Sequence, residues 1–299
     1  MGGGGIVFID IHCHIGLMRI PVVSGKQMLS SGEQMLFLYK KSGVEKAVLL
    51  PLVGVGSLHI SQSMAEILLI CRKFPGKFIP FMNIDPRADG YSSTTDLGKL
   101  MMFYKDQGMK GIGEITANLS FLDPFILNLF KHAEACKLPV LFHISPKIGE
   151  NYGLYDKQGL PFLERCLQLF PKLKFIGHSQ AFWAELGKLE TAGDRYGYPK
   201  GKIKKEGVVP KLLRKYGNLH ADLSASSGYN ALTRDPVYAV KFINEFQDRL
   251  YFGADVCCPE GIKDIPLCGF LKELKADGRI SAGVFYKVAK GNVKKLLKI

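Results

Sequence analysis

Eight short β-rich runs recur along the chain at a near-constant interval, and this repetition limits the folds open to it. They occupy 6–11, 46–51, 78–83, 110–115, 140–144, 174–177, 218–223 and 250–253. Their starts lie 40, 32, 32, 30, 34, 44 and 32 residues apart. That is the length of a strand, a loop, a helix and a return loop. The intervening segments 34–42, 63–74, 125–136, 160–170 and 237–246 carry helical patterning and end at Gly43 or before Pro75 and Pro171, or open on Asp123-Pro124 and Asp235-Pro236. Eight strands alternating with helices predict a single α/β domain over 1–299, a (β/α)8 TIM barrel. An open doubly wound sheet would carry a Gly-rich phosphate turn after its first strand; histidines stand there instead. The longest interval contains the polar, Gly- and Lys-rich segment 183–207, which we expect to form a lid-like insertion between strands six and seven.

Composition narrows the class further. Of 299 residues, 47% are hydrophobic and 22% charged, which excludes a disordered chain. No apolar run approaches the length of a membrane span. The glycines after Met1 (1–5) read as a flexible leader without the basic region of a secretory signal. Seven cysteines, an odd number without C-x-x-C spacing, read as reduced thiols, and hence as a cytoplasmic protein. The net charge of +13 could attract polyanions. The lysines are scattered over helix faces, however, and the densest group, 200–215, lacks aromatics interleaved for base stacking. A small-molecule substrate is therefore expected, not nucleic acid or membrane.

In a barrel of this kind, active sites lie where strands meet the loops that follow them. Strand one ends Asp10-Ile11-His12-Cys13-His14, placing two histidines on one side and Cys13 on the other. Strand four ends at Glu114, strand five at His143, strand six at His178 and strand eight at Asp255. Each closes an apolar strand, where a polar side chain is costly without a partner. Imidazole and carboxylate converging on one mouth predict a divalent metal site, for zinc first and manganese second. His59, His132 and His220 fall within helices or strands and are left to structural roles.

These motifs identify a resemblance. Asp10-Ile11-His12-Cys13-His14, Phe142-His143, Ile176-Gly177-His178, Asp222-Leu223-Ser224, Phe252-Gly253-Ala254-Asp255 and Gly291-Asn292-Val293-Lys294 resemble the amidohydrolase superfamily, in its amidohydrolase-related branch. That branch contains decarboxylases of the aminocarboxymuconate-semialdehyde type and dicarboxylate lactonases. The resemblance implies that His12, His14, His143 and Asp255 surround a primary metal, with His178 a second-metal ligand or a polarising acid. Many binuclear relatives bridge two ions with a carboxylated lysine at the end of strand four. Glu114 stands at that position, and a glutamate can bridge two cations as well.

The expected chemistry is hydrolysis of an amide, lactone or similar carbonyl compound by metal-activated water, with Asp255 moving the proton and His178 polarising the carbonyl. The alternative is metal-dependent, non-oxidative decarboxylation; a second is a metal-dependent deoxyribonuclease. Arg19, in the loop after strand one, is a candidate for binding a substrate carboxylate, and Trp183 for walling the pocket. Asn83, Ser224 and Ser226 follow strand ends, and Phe182, Tyr196 and Tyr229 would give the mouth an aromatic lining. A homodimer is compatible with the fold.

Overall fold

The computed structural model describes residues 8–18, 20–21, 27–53, 61–88, 92–149, 151–257, 262 and 264–299. Helix ends follow local chemistry. Ser31 accepts the Gln34 N–H to open the helix Gly32–Ser42, which Gly43 ends in left-handed backbone at φ 81°. Ser63 caps Met64–Lys73, while Asp123 and Asp235 cap Pro124–Ala135 and Pro236–Phe246, each with proline in the first turn.

All eight expected strands form: β1 (Phe8–Cys13), β2 (Val44–Leu49), β3 (Phe78–Pro80), β4 (Ile112–Ile115), β5 (Val140–Ser145), β6 (Phe175–His178), β7 (Leu219–Asp222) and β8 (Leu250–Tyr251). They pair in parallel and in chain order, as one arc of β1 to β3 and another of β4 to β8. Two links join the arcs. Met82 bridges Ile112 beyond β3, and the Ile11 N–H donates to the Phe252 carbonyl at 3.0 Å beyond β8. The ring is that of a (β/α)8 barrel. Outside it, Ile15–Gly16, Ile20–Pro21 and Gln27–Ser31 form a small sheet. Ser30 ties that sheet to the loop after β8, donating its N–H to the Cys257 carbonyl at 3.0 Å.

Alternation along the strands separates two cores. Ile9, Ile11, Val48, Leu50, Ile79, Phe81, Leu141, Ile176 and Tyr251 pack together with Val293 and Leu297 of the final helix, Asn292–Leu297. Phe8, Cys13, Leu49, Val140, Phe142 and Phe175 belong instead to the larger cluster shared with the helices, so Cys13 points away from the axis as expected. His220 is buried, its Nδ1 2.7 Å from the Tyr251 hydroxyl. Burial pushes it down to about 3, so it is a neutral structural histidine. Among the described residues, six cysteines are free of disulfides, and no helix is long and apolar enough to cross a membrane.

The expected insertion is corrected at its start. Trp183 lies in the helix Gln180–Ala184 and is only 2% exposed. Its indole N–H donates to the Asp222 carbonyl at 2.9 Å, and its ring packs on Phe182 and Phe242. It therefore anchors this segment to the core rather than walling a pocket, because a buried indole needs one fixed acceptor. Phe182 is likewise fully buried and does not line a mouth. The loop proper leaves the core after Leu186, where Gly187 bridges Glu206 in antiparallel fashion. Within it, Arg195 is docked by hydrogen bonds to Glu185 Oε1 at 2.8 Å and to the Asp156 carbonyl at 2.7 Å.

Phe81 fills the barrel axis and is fully buried. Phe81→Ala should cost about 3–5 kcal/mol of stability, measured by denaturant unfolding. A loss below about 1 kcal/mol would contradict a packed barrel interior.

Candidate metal centre

The site begins with an irregularity in β1. Its pairing with β2 slips between Asp10 and Cys13. After Ile9 and Ile11 have faced the axis, the slip turns His12 and His14 inward as well. Both are buried. The His14 Nδ1 lies 2.9 Å from the Leu50 carbonyl, an acceptor, and the His12 Nδ1 lies 2.7 Å from Asp222 Oδ2. Each Nδ1 is therefore committed to an acceptor behind its ring, and each Nε2 is turned toward the site. The two Nε2 atoms face one another at 2.9 Å. At that distance the two nitrogens share either a proton or a bound cation.

Carboxylates complete the arrangement. Glu114 Oε2 lies 3.6 Å from His12 Nε2 and 3.5 Å from His14 Nε2. Asp255 Oδ1 lies 3.5 and 3.7 Å from the same atoms. His12, His14 and Glu114 thus offer three donor atoms close enough together to share one divalent cation. The other oxygens face a second group. Glu114 Oε1 is 2.7 Å from His143 Nδ1 and 3.9 Å from His178 Nε2, and Asp255 Oδ2 is 3.5 Å from His178 Nε2. His12, His14 and Glu114 form one cluster of converging donors, and Glu114, His143 and His178 another. The structure thus gathers all six expected donors, with His143 and His178 both on the side of Glu114 Oε1.

Two residues of the quoted motifs, given no role from sequence, support these donors. Asp222 ends β7, fully buried, and its Oδ2 serves three partners: His12 Nδ1 at 2.7 Å, His178 Nδ1 at 3.1 Å and the Ser224 hydroxyl at 2.7 Å. A carboxylate behind a histidine fixes its tautomer and orientation; here one carboxylate does so for both clusters. The signal was available, since Asp222 closes an apolar strand as Glu114 and His143 do. Asp10 accepts the N–H groups of His12 and Ala254, both at 2.8 Å, and the Tyr39 hydroxyl at 2.6 Å. It joins the ends of β1 and β8. Asp255 follows in left-handed backbone at φ 50°, its N–H donating to the His12 carbonyl at 2.9 Å, a conformation that aspartate tolerates.

The electrostatics follow from burial among many charges. Burial opposes the charge of Glu114, but His12 and its neighbours hold that carboxyl well below the usual range. Burial likewise opposes Asp255 and Asp222, and the histidines beside them hold both low. Burial and His12 oppose a charge on His178, yet hydrogen bonds to Asp222 and Asp255 hold it up to about 9. Burial lowers His143 despite Glu114. Asp10 differs: burial lifts it to about 7, against its three hydrogen bonds.

Asp255 lines a cavity of ≈ 650 Å³ whose wall includes Tyr198, Ser226, Tyr229 and Cys257. His143 lines a separate cleft of ≈ 60 Å³ with Tyr152, Arg195 and Tyr196. Of the residues expected around substrate, Tyr229 and Ser226 line the larger cavity and Tyr196 the smaller. Asn83 instead braces the backbone, donating to the Glu114 carbonyl at 2.6 Å, and Ser224 is committed to Asp222. Arg19 lies outside the described residues.

No family model matches the sequence, and no curated protein does. Solved structures do match. The chain is similar to an uncharacterised TIM-barrel protein from Bordetella bronchiseptica, with 17% identity, 97% of this chain and 98% of the other covered, and TM-score 0.67. It is similar to an amidohydrolase from Burkholderia multivorans with bound zinc, with 13% identity, 98% and 99% covered, and TM-score 0.66. It is also similar to 5-carboxyvanillate decarboxylase from Sphingomonas paucimobilis, with 16% identity, 99% and 100% covered, and TM-score 0.63. The neighbours are of the kind that the motifs resemble, and at these identities what the chain shares with them is the barrel fold.

Two measurements probe the centre. Asp222→Ala should weaken divalent-metal affinity about 10–100-fold, read by chelator competition; unchanged affinity would remove Asp222 from the support of the histidines. Because His178, held up to about 9, must lose its proton before Nε2 can take an ion, affinity should rise with pH up to that value, by about tenfold per unit. An affinity flat between pH 6.5 and 9 would contradict this coupling.

Proposed function

We propose that the protein is a metal-dependent hydrolase of the amidohydrolase-related kind, acting on an amide, lactone or similar carbonyl bond of a small molecule. The observation that carries the reading is Glu114, whose two oxygens face two separate histidine pairs. A carboxylate so placed would hold two cations, which suits hydrolysis better than single-ion chemistry. Zinc is the ion this reading favours, with manganese second, since imidazole and carboxylate donors suit both. When bound, such ions polarise a carbonyl and lower the pKa of water.

The protein's own groups account for the proton. Asp255 has a side chain 19% exposed, against 6% for Glu114, and it lines the large cavity. It is therefore placed to accept the proton of the attacking water and return it to the leaving nitrogen or oxygen. His178 Nε2 lies 3.5 Å from Asp255 Oδ2, so once deprotonated it would hold the second ion beside that carboxylate. The cavity volume is in the range of small-molecule sites.

Non-oxidative decarboxylation of an aromatic acid is the second reading, favoured by the likeness to 5-carboxyvanillate decarboxylase. Protein purified without chelator should contain about two equivalents of zinc or manganese, and Glu114→Gln should lose at least one. Asp255→Asn should lower hydrolysis of a responsive amide or lactone about 10²–10⁴-fold while the His12–His14 ion is retained. One equivalent, together with carbon dioxide release from aromatic acids, would replace hydrolysis with the second reading.

A further inference from the structure

One donor at the mouth belongs to neither histidine group as expected from sequence. Cys257 follows Asp255 by two residues, in the loop that leaves β8. Its Sγ lies 3.6 Å from Asp255 Oδ1, the oxygen that faces both His12 and His14. His14, Asp255 and Cys257 offer ligand atoms that all lie within 4.8 Å of one another. The loop is held in this position by Ser30, whose N–H and hydroxyl both donate to the Cys257 carbonyl, at 3.0 and 3.4 Å. Cys257 also lines the large cavity. Cys13, its neighbour across β1, packs in the outer core and faces away.

The thiol does not stand alone as a feature. It is grouped with His14 and Asp255, whose donor atoms lie 2.9 and 3.5 Å from His12 Nε2. A thiolate ligand and a carboxylate oxygen on one tetrahedral zinc, at about 2.3 and 2.0–2.2 Å, stand about 3.5–3.6 Å apart. The Sγ to Oδ1 distance matches.

We propose that Cys257 is a ligand of the ion held by His12 and His14, and that it makes this position select a thiophilic metal. Coordination replaces the S–H bond by a metal–sulfur bond, and the proton leaves to solvent. The imidazole of His14, the carboxylate of Asp255 and the thiolate of Cys257 form a donor set for zinc or cobalt(II). Manganese and magnesium, which prefer oxygen donors, gain little from the sulfur. The ion at the second group, between His143 and His178, has no thiolate and remains the less selective of the two. The inference rests on the two-cation reading only for there being an ion at the His12–His14 position; it does not depend on which reaction follows.

Cobalt(II) titrated into metal-free protein tests this without any substrate. The first equivalent should bring up the near-ultraviolet charge-transfer band of a cobalt–thiolate bond together with the visible d–d bands. In Cys257→Ser the charge-transfer band should vanish while the d–d bands persist, since the histidines still bind. Zinc affinity should fall about 10–100-fold in that variant and manganese affinity change less than about threefold. A wild-type spectrum without the charge-transfer band, or a band that survives in Cys257→Ser, would overturn the assignment. Should the variant fold poorly, alkylation of wild-type protein gives the same decision. Stoichiometric zinc should protect Cys257 from a thiol reagent, located by peptide mapping, and equal modification with and without zinc would reject it. Failure of hydrolysis with a positive band would reject the proposed reaction and leave this ligand in place.

Discussion

Two imidazole Nε2 atoms held 2.9 Å apart are the constraint on which the barrel mouth depends. Neither can turn away. The Leu50 carbonyl holds one ring from behind and Asp222 holds the other. The backbone under both rings is fixed by Asp10, which accepts N–H groups from the ends of β1 and β8 and so places Asp255 against the same pair. The surrounding carboxylates supply the negative charge that makes a shared proton or a cation favourable there. Folding thus assembles an electrostatic demand at one end of a hydrophobic cylinder.

The carboxylates at this end do not behave alike, although all are buried. Glu114, Asp222 and Asp255 lie against histidines and are held ionised. Asp10 faces the helix layer, where its partners are two N–H groups and a tyrosine hydroxyl, and burial lifts it to about 7. Hydrogen bonds from neutral donors offset less of the desolvation penalty than adjacent charges do. Position thus separates a carboxylate that braces the backbone from those that meet a cation.

Much of this was legible in the chain. The eight strands were readable because each is a short β-rich run bounded by turn chemistry, and their ends were readable because a polar residue closing an apolar strand stands out. His12, His14, Glu114, His143, His178 and Asp255 were all found this way, and all converge. Asp222 obeys the same rule and stands in one of the quoted motifs, but its role depends on His12 and His178, which only the fold brings to it. Trp183 was misplaced because a lone tryptophan after a strand fits a pocket wall and a core anchor equally well. Only the proximity of the Asp222 carbonyl and Phe242 distinguishes them.

What the amino-acid sequence determined by itself is the set of elements and the chemical identity of the donors. Strand length, helix caps and the side on which a residue emerges are local properties, set by neighbours a few positions away. The tertiary structure decided how the donors group. His143 joins His178 through Glu114, Asp222 serves both groups at once, and Cys257 reaches Asp255 from a loop that Ser30 holds in place. The slip in β1 that lets His12 follow Ile11 toward the axis belongs to the same category. Each depends on atoms brought together by barrel closure from residues far apart in the chain, where distances of a few tenths of an ångström separate a shared cation from a simple hydrogen bond.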